Sequence, residues 1–508
     1  MESFQHFWRQ YPALLYALTM LIGIEAALAW NSLLLLPLVI IFVPLLCGRG
    51  GWIRLTLAAC LMIGAFCWAK SAYSFPFIPS NGVAGAALIE ISSVSSASTS
   101  FGKRWVYKGK IKAFKPLDHT KIDVRNVSYT LSMAQRAEIH RPPANRAYCV
   151  EGRLKESSPG HYVLVVAKNQ AWFPVSGSWS IAEWRFQVKE TVSAYIRHHI
   201  SGRQAQTFLA GIATGNFDDR VMQFEFGRFG LQHIMAISGF HFAIIAGILS
   251  FLARLVMDRR KAMIFLMVLL SGYFLFLGCG ASIIRAWATS VIALMGLLLE
   301  RRSSGLNSLG AALMVVLLYD PLLCQNLGFQ FSFAVTAAIL MLYPTSDFLM
   351  QQILTKRSLS EMIEMDALNQ HAYCILTFFR QAIALTIAVN LIALPMMLYY
   401  FHKFPLLSLL YNIFFPFMVS VSMLFLLLGL FCGICPPIAS AIHALNSMYT
   451  QFMLNFTHNL PTKMDIIWRV PAFPIELLIC YLCFIFALSI YLKRYLTERQ
   501  QVVQELVC

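Results

Sequence analysis

Long apolar stretches recur along the chain, and one extended polar region interrupts them. Several of these stretches approach the roughly 20 residues that a helix needs to cross a hydrocarbon layer of ~30 Å. They include Pro12–Trp30, Ile53–Lys70, Ile234–Leu255, Met263–Leu277 and Leu477–Leu492. The pattern predicts a polytopic α-helical membrane protein with about ten transmembrane helices.

The extended polar region carries runs of strand-forming residues separated by turns that contain Pro, Asn or Gly. The runs are Trp105–Phe114, Lys121–Ser132, Arg146–Lys155 and His161–Val175. Apolar side chains such as Tyr129 and Leu131 recur at every second position, as in a strand with one buried face. We expect a small inserted β-barrel of the OB type.

Four segments follow from this pattern. They are N-terminal transmembrane helices in 1–72, a β-rich OB-like domain in 73–180, amphipathic interfacial helices in 181–228 and a polytopic membrane domain in 229–500. The interfacial assignment rests on apolar residues at helical spacing between Ile181 and Ile200.

Composition and charge agree with a membrane location. The chain is 58% hydrophobic and only 13% charged, with a net charge of +16. Lys and Arg cluster beside the apolar segments, for example at Arg259–Lys261 and at Lys493 and Arg494. If these clusters face the cytoplasm, the β-domain lies on the extracytoplasmic side of the membrane.

The β-rich region holds a large share of the positive charge, with basic and aromatic residues interleaved. The candidates for nucleic-acid binding are Lys103, Arg104, Trp105, Tyr107, Lys108, Lys110 and Lys112. Such cations favour backbone phosphates, and aromatic rings stack on bases. The same residues also suit a basic domain that rests on anionic lipid headgroups, so both interpretations stay open.

A second motif opens an apolar segment. It runs from His233 through Ser238 and Gly239 to His241. Polar residues at such a position are costly unless they face water or protein, so they are candidates for a path through the membrane. Packing histidines or a catalytic pair are the alternatives. In a continuous helix the two histidines lie about 12 Å apart, too far to share a metal, and only a break at Gly239 could bring them together. We expect no metal or cofactor.

This motif resembles the hallmark His-x-x-Ala-Ile-Ser-Gly-Leu-His of the ComEC-type competence family, with Phe240 in place of Leu. Two further segments resemble the same family, Gly278–Ala286 and Gly328–Ser332. The similarity extends over about 181–430. It implies a multi-pass competence channel in the bacterial inner membrane that passes single-stranded DNA into the cell during transformation, and not an enzyme.

Polar residues of these motifs are the candidates for the transport path. They are His233, Ser238, Gly239, His241, Ser282, Arg285, Gln330 and Ser332. We assign no catalytic residue. Arg285 has the alternative of reaching to a membrane interface. A transporter or channel for another anionic polymer, lipid or metabolite, and an intramembrane hydrolase built on Ser238, are the competing functions.

The resemblance also implies partners. The sequence contains no Walker-type ATP-binding motif, so we expect the driving force to come from partners or gradients. The resemblance implies a cytoplasmic helicase-like motor and an extracytoplasmic DNA-binding protein, and membrane lipid is a further expected partner. The metallo-β-lactamase-like signature His-x-His-x-Asp-His of many family members is also missing, which predicts a form without that domain and a separate nuclease. A homo-oligomer is compatible with this scheme.

Overall fold

The structure is a computed structural model. It describes residues 2–47, 51–74, 78–79, 81–99, 102–117, 123–135, 141–158, 161–167, 170–217, 219–235, 239–301, 304–459 and 466–507. Ser238 of the predicted motif lies outside these residues.

Helices form most of the described chain. They are α1 (Glu2–Gln10), α2 (Pro12–Leu28), α3 (Leu35–Leu46), α4 (Gly51–Ala72), α5 (Ala182–His199), α6 (Arg203–Thr214), α7 (Arg220–Arg228), α8 (Gln232–Met235), α9 (Gly239–Val256), α10 (Arg259–Leu277), α11 (Ala281–Leu298), α12 (Gly305–Tyr319), α13 (Leu327–Gln351), α14 (Leu359–Ile363), α15 (Ala367–Phe401), α16 (Ser408–Phe431), α17 (Pro436–His458) and α18 (Ile475–Val507).

The strands lie almost entirely between α4 and α5. They are β1 (Val83–Thr99), β2 (Gly102–Pro116), β3 (Val127–Ala134), β4 (Tyr148–Ser158), β5 (His161–Val165) and β6 (Trp172–Pro174). A separate small pair, β7 (Lys403–Pro405) and β8 (Ile467–Arg469), joins two loops of the helical part.

Within the described residues, eight helices are long and apolar enough to cross a membrane, by length and composition. The pair α1 and α2, bent by 96°, brings the number to nine if it forms one span. This is slightly below the expected ten or so. Two apolar helical segments, Ser32–Leu46 and Gly305–Tyr319, are shorter than the 18 residues taken as the minimum for a span. The mean hydropathy of α17 is too low for it to be counted.

Five strands close into a barrel in the order β1-β2-β3-β5-β4, because β1 pairs with both β2 and β4. The pairing of β3 with β5 is parallel, and the other pairings around the barrel are antiparallel. β6 extends β4 at the edge. This order is that of an OB-like barrel, which confirms the predicted type of domain.

The long first strand makes the closure possible. Register shifts between Leu88 and Ile89 and between Ile91 and Ser93 bend β1, so that it serves two neighbours. At one crossing β2 comes so close that a Cβ on Gly109 would overlap the carbonyl oxygen of Glu90. Only glycine fits there. The sequence analysis missed β1 because Ala, Ser and Gly form most of this strand and carry little strand preference.

The helix predicted at 181–200 forms as α5, but its buried side differs from the expected one. Arg185 and Lys189 are buried, whereas Trp184 is half exposed. The first turn of α5 is fixed to the barrel by Glu183, which accepts two hydrogen bonds from the Arg141 guanidinium and one from the Ala144 amide. The helix therefore continues directly from the barrel wall.

Candidate functional site

The three predicted motif segments converge in the structure. The first ends at the start of α9, the second forms the first turns of α11, and the third forms the first turns of α13. The Arg285 guanidinium joins them, because it lies between Gly239 of α9 and Ser332 of α13. The sequence predicted these residues as a common path, and the fold brings several of them into contact.

Arg285 is buried, with only 8% of its surface exposed. Its Nε donates to Ser332 Oγ (2.6 Å) and its Nη1 to Thr336 Oγ1 (2.7 Å). Among the residues that the structure describes, Arg285 forms no ion pair with an Asp or Glu. A buried guanidinium held by neutral hydroxyl groups keeps its full charge available to an anion.

Gly239 and Ser282 complete the surroundings of this cation. A Cβ at position 239 would overlap the Nη2 atom of Arg285, so a larger residue there would force the guanidinium to shift. Ser282, one turn before Arg285, donates to the carbonyl oxygen of Gly328 (3.3 Å) at the start of α13. Thr336 was missed by the sequence analysis, although it follows Ser332 by one helical turn and so shares its face.

Three further predicted path residues, His233, His241 and Gln330, lie in the described part of the chain. His233 is exposed on α8, with Nδ1 3.1 Å from the carbonyl oxygen of Gly230. His241 is fully buried within α9. Gln330 faces another helix, since it donates to the carbonyl of Cys324 and accepts from the Tyr400 hydroxyl of α15.

The basic residues of β2 have different environments. Lys103 and Lys108 are exposed. Arg104 donates to the carbonyl oxygen of Ser132 on β3. Lys112 forms an exposed ion pair with Glu90 (3.0 Å). Lys108 is therefore a central exposed cation on this strand.

The two aromatic candidates belong to the barrel interior. Tyr107 has no exposed surface, and its hydroxyl donates to the carbonyl of Pro142 (2.9 Å). Trp105 is partly buried and packs edge-to-face on Phe186 of α5, with ring centroids 5.5 Å apart. In this arrangement Tyr107 offers no ring face to a nucleic-acid base, so contact with an anion depends on the cations.

Strand register reveals cations that the sequence analysis did not single out. Lys108 of β2 pairs with Thr130 of β3, Thr130 pairs with Val163 of β5, and Val163 pairs with Lys155 of β4. Residues in one such row point to the same side of the sheet, here the outside. Lys108 and Lys155 are both exposed. His161 lies beside this row, with Nε2 3.0 Å from Thr130 Oγ1.

Lys110 has a different role from its neighbours on β2. Its ammonium group lies 2.8 Å from Asp320 Oδ2, in a pair that is mostly shielded from solvent. Asp320, which follows α12, also accepts from the Tyr73 hydroxyl (3.3 Å) and from the Leu322 amide (3.2 Å). The pair thus fixes the barrel to the helical part of the protein.

A second connection between barrel and helices runs through α5. Arg185 donates from Nε to the carbonyl of Leu275 (2.9 Å) and from Nη1 to the carbonyl of Ser92 on β1 (3.0 Å). Lys189 donates to the carbonyl of Leu277 (2.9 Å). These cations satisfy carbonyls in the last turn of α10 and complement its dipole. No sequence motif indicated this contact.

No group of three or more His, Cys, Asp or Glu side chains in the described part of the chain is arranged to hold a metal ion. Around the Arg285 guanidinium the structure places the hydroxyl groups of Ser332 and Thr336 and the backbone at Gly239. This composition suits the binding of an anion.

Comparison with known proteins gives the family. The model of the competence protein family matches residues 215–495, more than half of the chain and including the Arg285 site. ComE operon protein 3 of Bacillus subtilis (strain 168) is 26% identical over 295 residues, which are 57% of this chain and 34% of that protein. The match thus spans about a third of the relative's length. No solved structure matches the chain. The chain belongs to the competence protein family, as the motifs around Gly239, Arg285 and Ser332 had indicated.

Proposed function

We propose that the protein takes part in DNA uptake and passes single-stranded DNA through the membrane, with Arg285 as a phosphate-binding residue on the path. The observation that carries this proposal is the buried Arg285 guanidinium with hydroxyl partners and no acidic partner among the described residues. Family membership supports the substrate class. The role is transport, and no residue is assigned a catalytic step.

Electrostatics explains why an anion would be drawn to this position. A cation taken out of water loses several kcal/mol of hydration unless a partner replaces it. Ser332 and Thr336 supply hydrogen bonds but no charge. A passing phosphate supplies the missing negative charge. Because the site offers only one guanidinium, each phosphate is bound weakly enough to be released as the strand moves.

The exposed cations of the barrel form the first contact in this scheme. Lys108 and Lys155 lie in one row on the outer face, and His161 lies beside them. Cations along a strand surface attract a polyanion without regard to its sequence. The barrel then collects DNA, and the Arg285 site receives it at the membrane domain.

Replacement of Arg285 tests the central claim. Arg285→Gln keeps hydrogen bonding but removes the charge, and Arg301→Gln removes an exposed cation as a matched control. In a strain that depends on this protein, we expect Arg285→Gln to lower transformation by about tenfold or more, as loss of a charged hydrogen bond predicts. Arg301→Gln should change it little. Equal transformation by both variants, at equal amounts in the membrane, contradicts the proposal.

Charge reversal on the barrel tests the first contact. The full-length protein in nanodiscs is titrated with a fluorescent single-stranded oligonucleotide. Lys108→Glu and Lys155→Glu should each weaken binding several-fold, whereas Lys356→Glu, the same change on an exposed loop of the helical part, should not. If polyphosphate binds as well as DNA and displaces it fully, the substrate class is anionic polymers in general.

A further inference from the structure

Helices α16 and α17 lie side by side and antiparallel along their lengths. The rings of Tyr411, near the start of α16, and Phe456, near the end of α17, are 6.5 Å apart. Midway, Ser422 Oγ and Thr450 Oγ1 are hydrogen-bonded at 2.9 Å. Because α16 is a candidate membrane span with a mean hydropathy of 2.5, its partner lies at the same depth. With 23 residues, α17 is about 34 Å long, enough to cross.

The polarity of α17 is inverted relative to a helix in water. Its buried polar residues are His443, Asn446, Ser447, Thr450 and Thr457. Its exposed large apolar residues are Ile438, Leu445, Met448, Phe452 and Phe456. Polar residues of membrane helices face the protein interior, and apolar ones face lipid. Averaged over both faces, the mean hydropathy of α17 is below that of a typical span, although its exposed face is apolar enough to contact lipid.

The polar side of α17 receives the C-terminal end of α5. The Tyr195 hydroxyl is 3.0 Å from His443 Nε2, and the Ser201 amide donates to Ser447 Oγ (3.0 Å). At its other end α5 is bonded through Arg185 to the last turn of α10, which is also a candidate span. The helix therefore runs alongside candidate membrane spans, whereas the sequence analysis had expected it to lie flat in the membrane interface.

The side of α5 that faces away from these helices is polar. Its exposed residues after the first turn include Gln187, Glu190, Thr191, Ala194, Arg197 and His198, spaced three or four apart along one stripe. A charged side chain in contact with hydrocarbon costs several kcal/mol. Glu190 and Arg197 form no ion pair among the described residues, so neighbouring charges do not reduce this cost.

We propose that this stripe of α5 borders water inside the membrane layer and forms one wall of an aqueous cleft. The purpose of the cleft rests on the proposed function, since a polyanion needs a hydrated path past the helices. Its mixture of negative, positive and neutral groups lets a polyanion slide without being held. In this scheme Arg285 binds phosphates near the entrance of the path, and the polar stripe of α5 lines the water-filled part beyond it.

Thiol labelling tests water access in the full-length protein in nanodiscs. Ala194→Cys places a small thiol on the stripe, and Met448→Cys places one on the exposed apolar side of α17. A membrane-impermeant sulfonated maleimide is applied, and peptide mass spectrometry separates these thiols from the native cysteines. We expect Ala194→Cys to react at least about tenfold faster than Met448→Cys, because the sulfonated reagent does not enter hydrocarbon and thiols react faster where water favours the thiolate. A lipid-soluble maleimide should reach both.

Two outcomes overturn the proposal. Reaction of Ala194→Cys with the lipid-soluble reagent only places the stripe against lipid, and failure to react with either reagent means that protein covers it. The labelling needs no DNA, so it separates the cleft from the transport function. Added single-stranded oligonucleotide should slow the labelling of Ala194→Cys. If labelling is rapid and DNA does not slow it, the aqueous cleft exists but DNA does not pass along α5.

Discussion

Glycine at position 239 leaves the space that the Arg285 guanidinium occupies. In Gly239→Ala the new methyl group displaces this cation, at a cost of about 1–3 kcal/mol for overpacking. We expect a lower thermal unfolding temperature and impaired transformation. Gly247→Ala, in the same helix, is the control, since its Cβ meets no atom within 4 Å. Equal behaviour of the two variants contradicts the contact.

His161 gives the barrel a dependence on pH. Burial, and then the positive charge of Lys108, lower the pKa of His161 below its ordinary value of 6.5, so it is neutral at pH 7. A bound polyanion favours the imidazolium form and raises this pKa, so binding takes up a proton. Oligonucleotide affinity should therefore rise as the pH falls from about 7.5 to 5.5. In His161→Gln this rise should be smaller, and an unchanged rise excludes His161 from the interface.

Single residues of the site were predictable only where a motif marked them. Arg285, Ser332 and Gly239 belong to conspicuous motif segments, and the fold joins them. Thr336 lies outside those segments and becomes visible only when α13 is known to be helical past Ser332. Gln330 shares its motif with Ser332 but lies on another face of α13, which spacing alone did not decide.

At the level of elements, the pairing of α16 with α17 depends on the absence of a side chain at Gly429. A Cβ there would overlap the imidazole of His443. Gly429→Ala should destabilise the protein by about 1–3 kcal/mol, measured as a lower unfolding temperature in detergent. Gly433→Ala is the matched control in the following turn, with no atom within 4 Å of its Cβ. Equal stability of both variants excludes close packing at this point.

Elements were predictable where their periodicity was strong. The apolar helices and most barrel strands follow from it, whereas β1 does not, because Ala and Ser carry little strand preference. Helix α5 was expected from its spacing, but its buried side includes Arg185 and Lys189. Helix carbonyls of α10 satisfy these cations, and a sequence pattern does not record the partner.

At the level of the whole molecule, the ion pair between Lys110 and Asp320 holds the barrel on the helical part. A double-mutant cycle with Lys110→Ala and Asp320→Ala should give a coupling energy of about 1–3 kcal/mol in thermal unfolding, because the pair is shielded. The exposed pair of Lys112 and Glu90 is the control and should give less than about 1 kcal/mol. Similar coupling in both cycles excludes the ion pair as the main attachment.

The general plan of the molecule was predictable from the distribution of polarity. A polar insertion between apolar helices predicts a barrel beside a helical part, and the structure has a closed OB-like barrel and eight candidate membrane spans among its described residues. The contacts between the two parts were not predictable. They depend on Asp320 and Arg185, which are distant in sequence from their partners. In the sequence alone, each of these residues is indistinguishable from an ordinary surface charge.

The attachment of Lys110 also alters the effective valence of the barrel towards a polyanion. A cation neutralised by Asp320 releases no counterions from a nucleic-acid strand, so the apparent number of charges in binding is smaller than the sequence count. In Asp320→Asn the ammonium group becomes available. The logarithm of the binding constant should then fall more steeply with the logarithm of salt concentration, by about 0.7 per added contact for a single strand. The steepness of this dependence thus reports whether the barrel is docked.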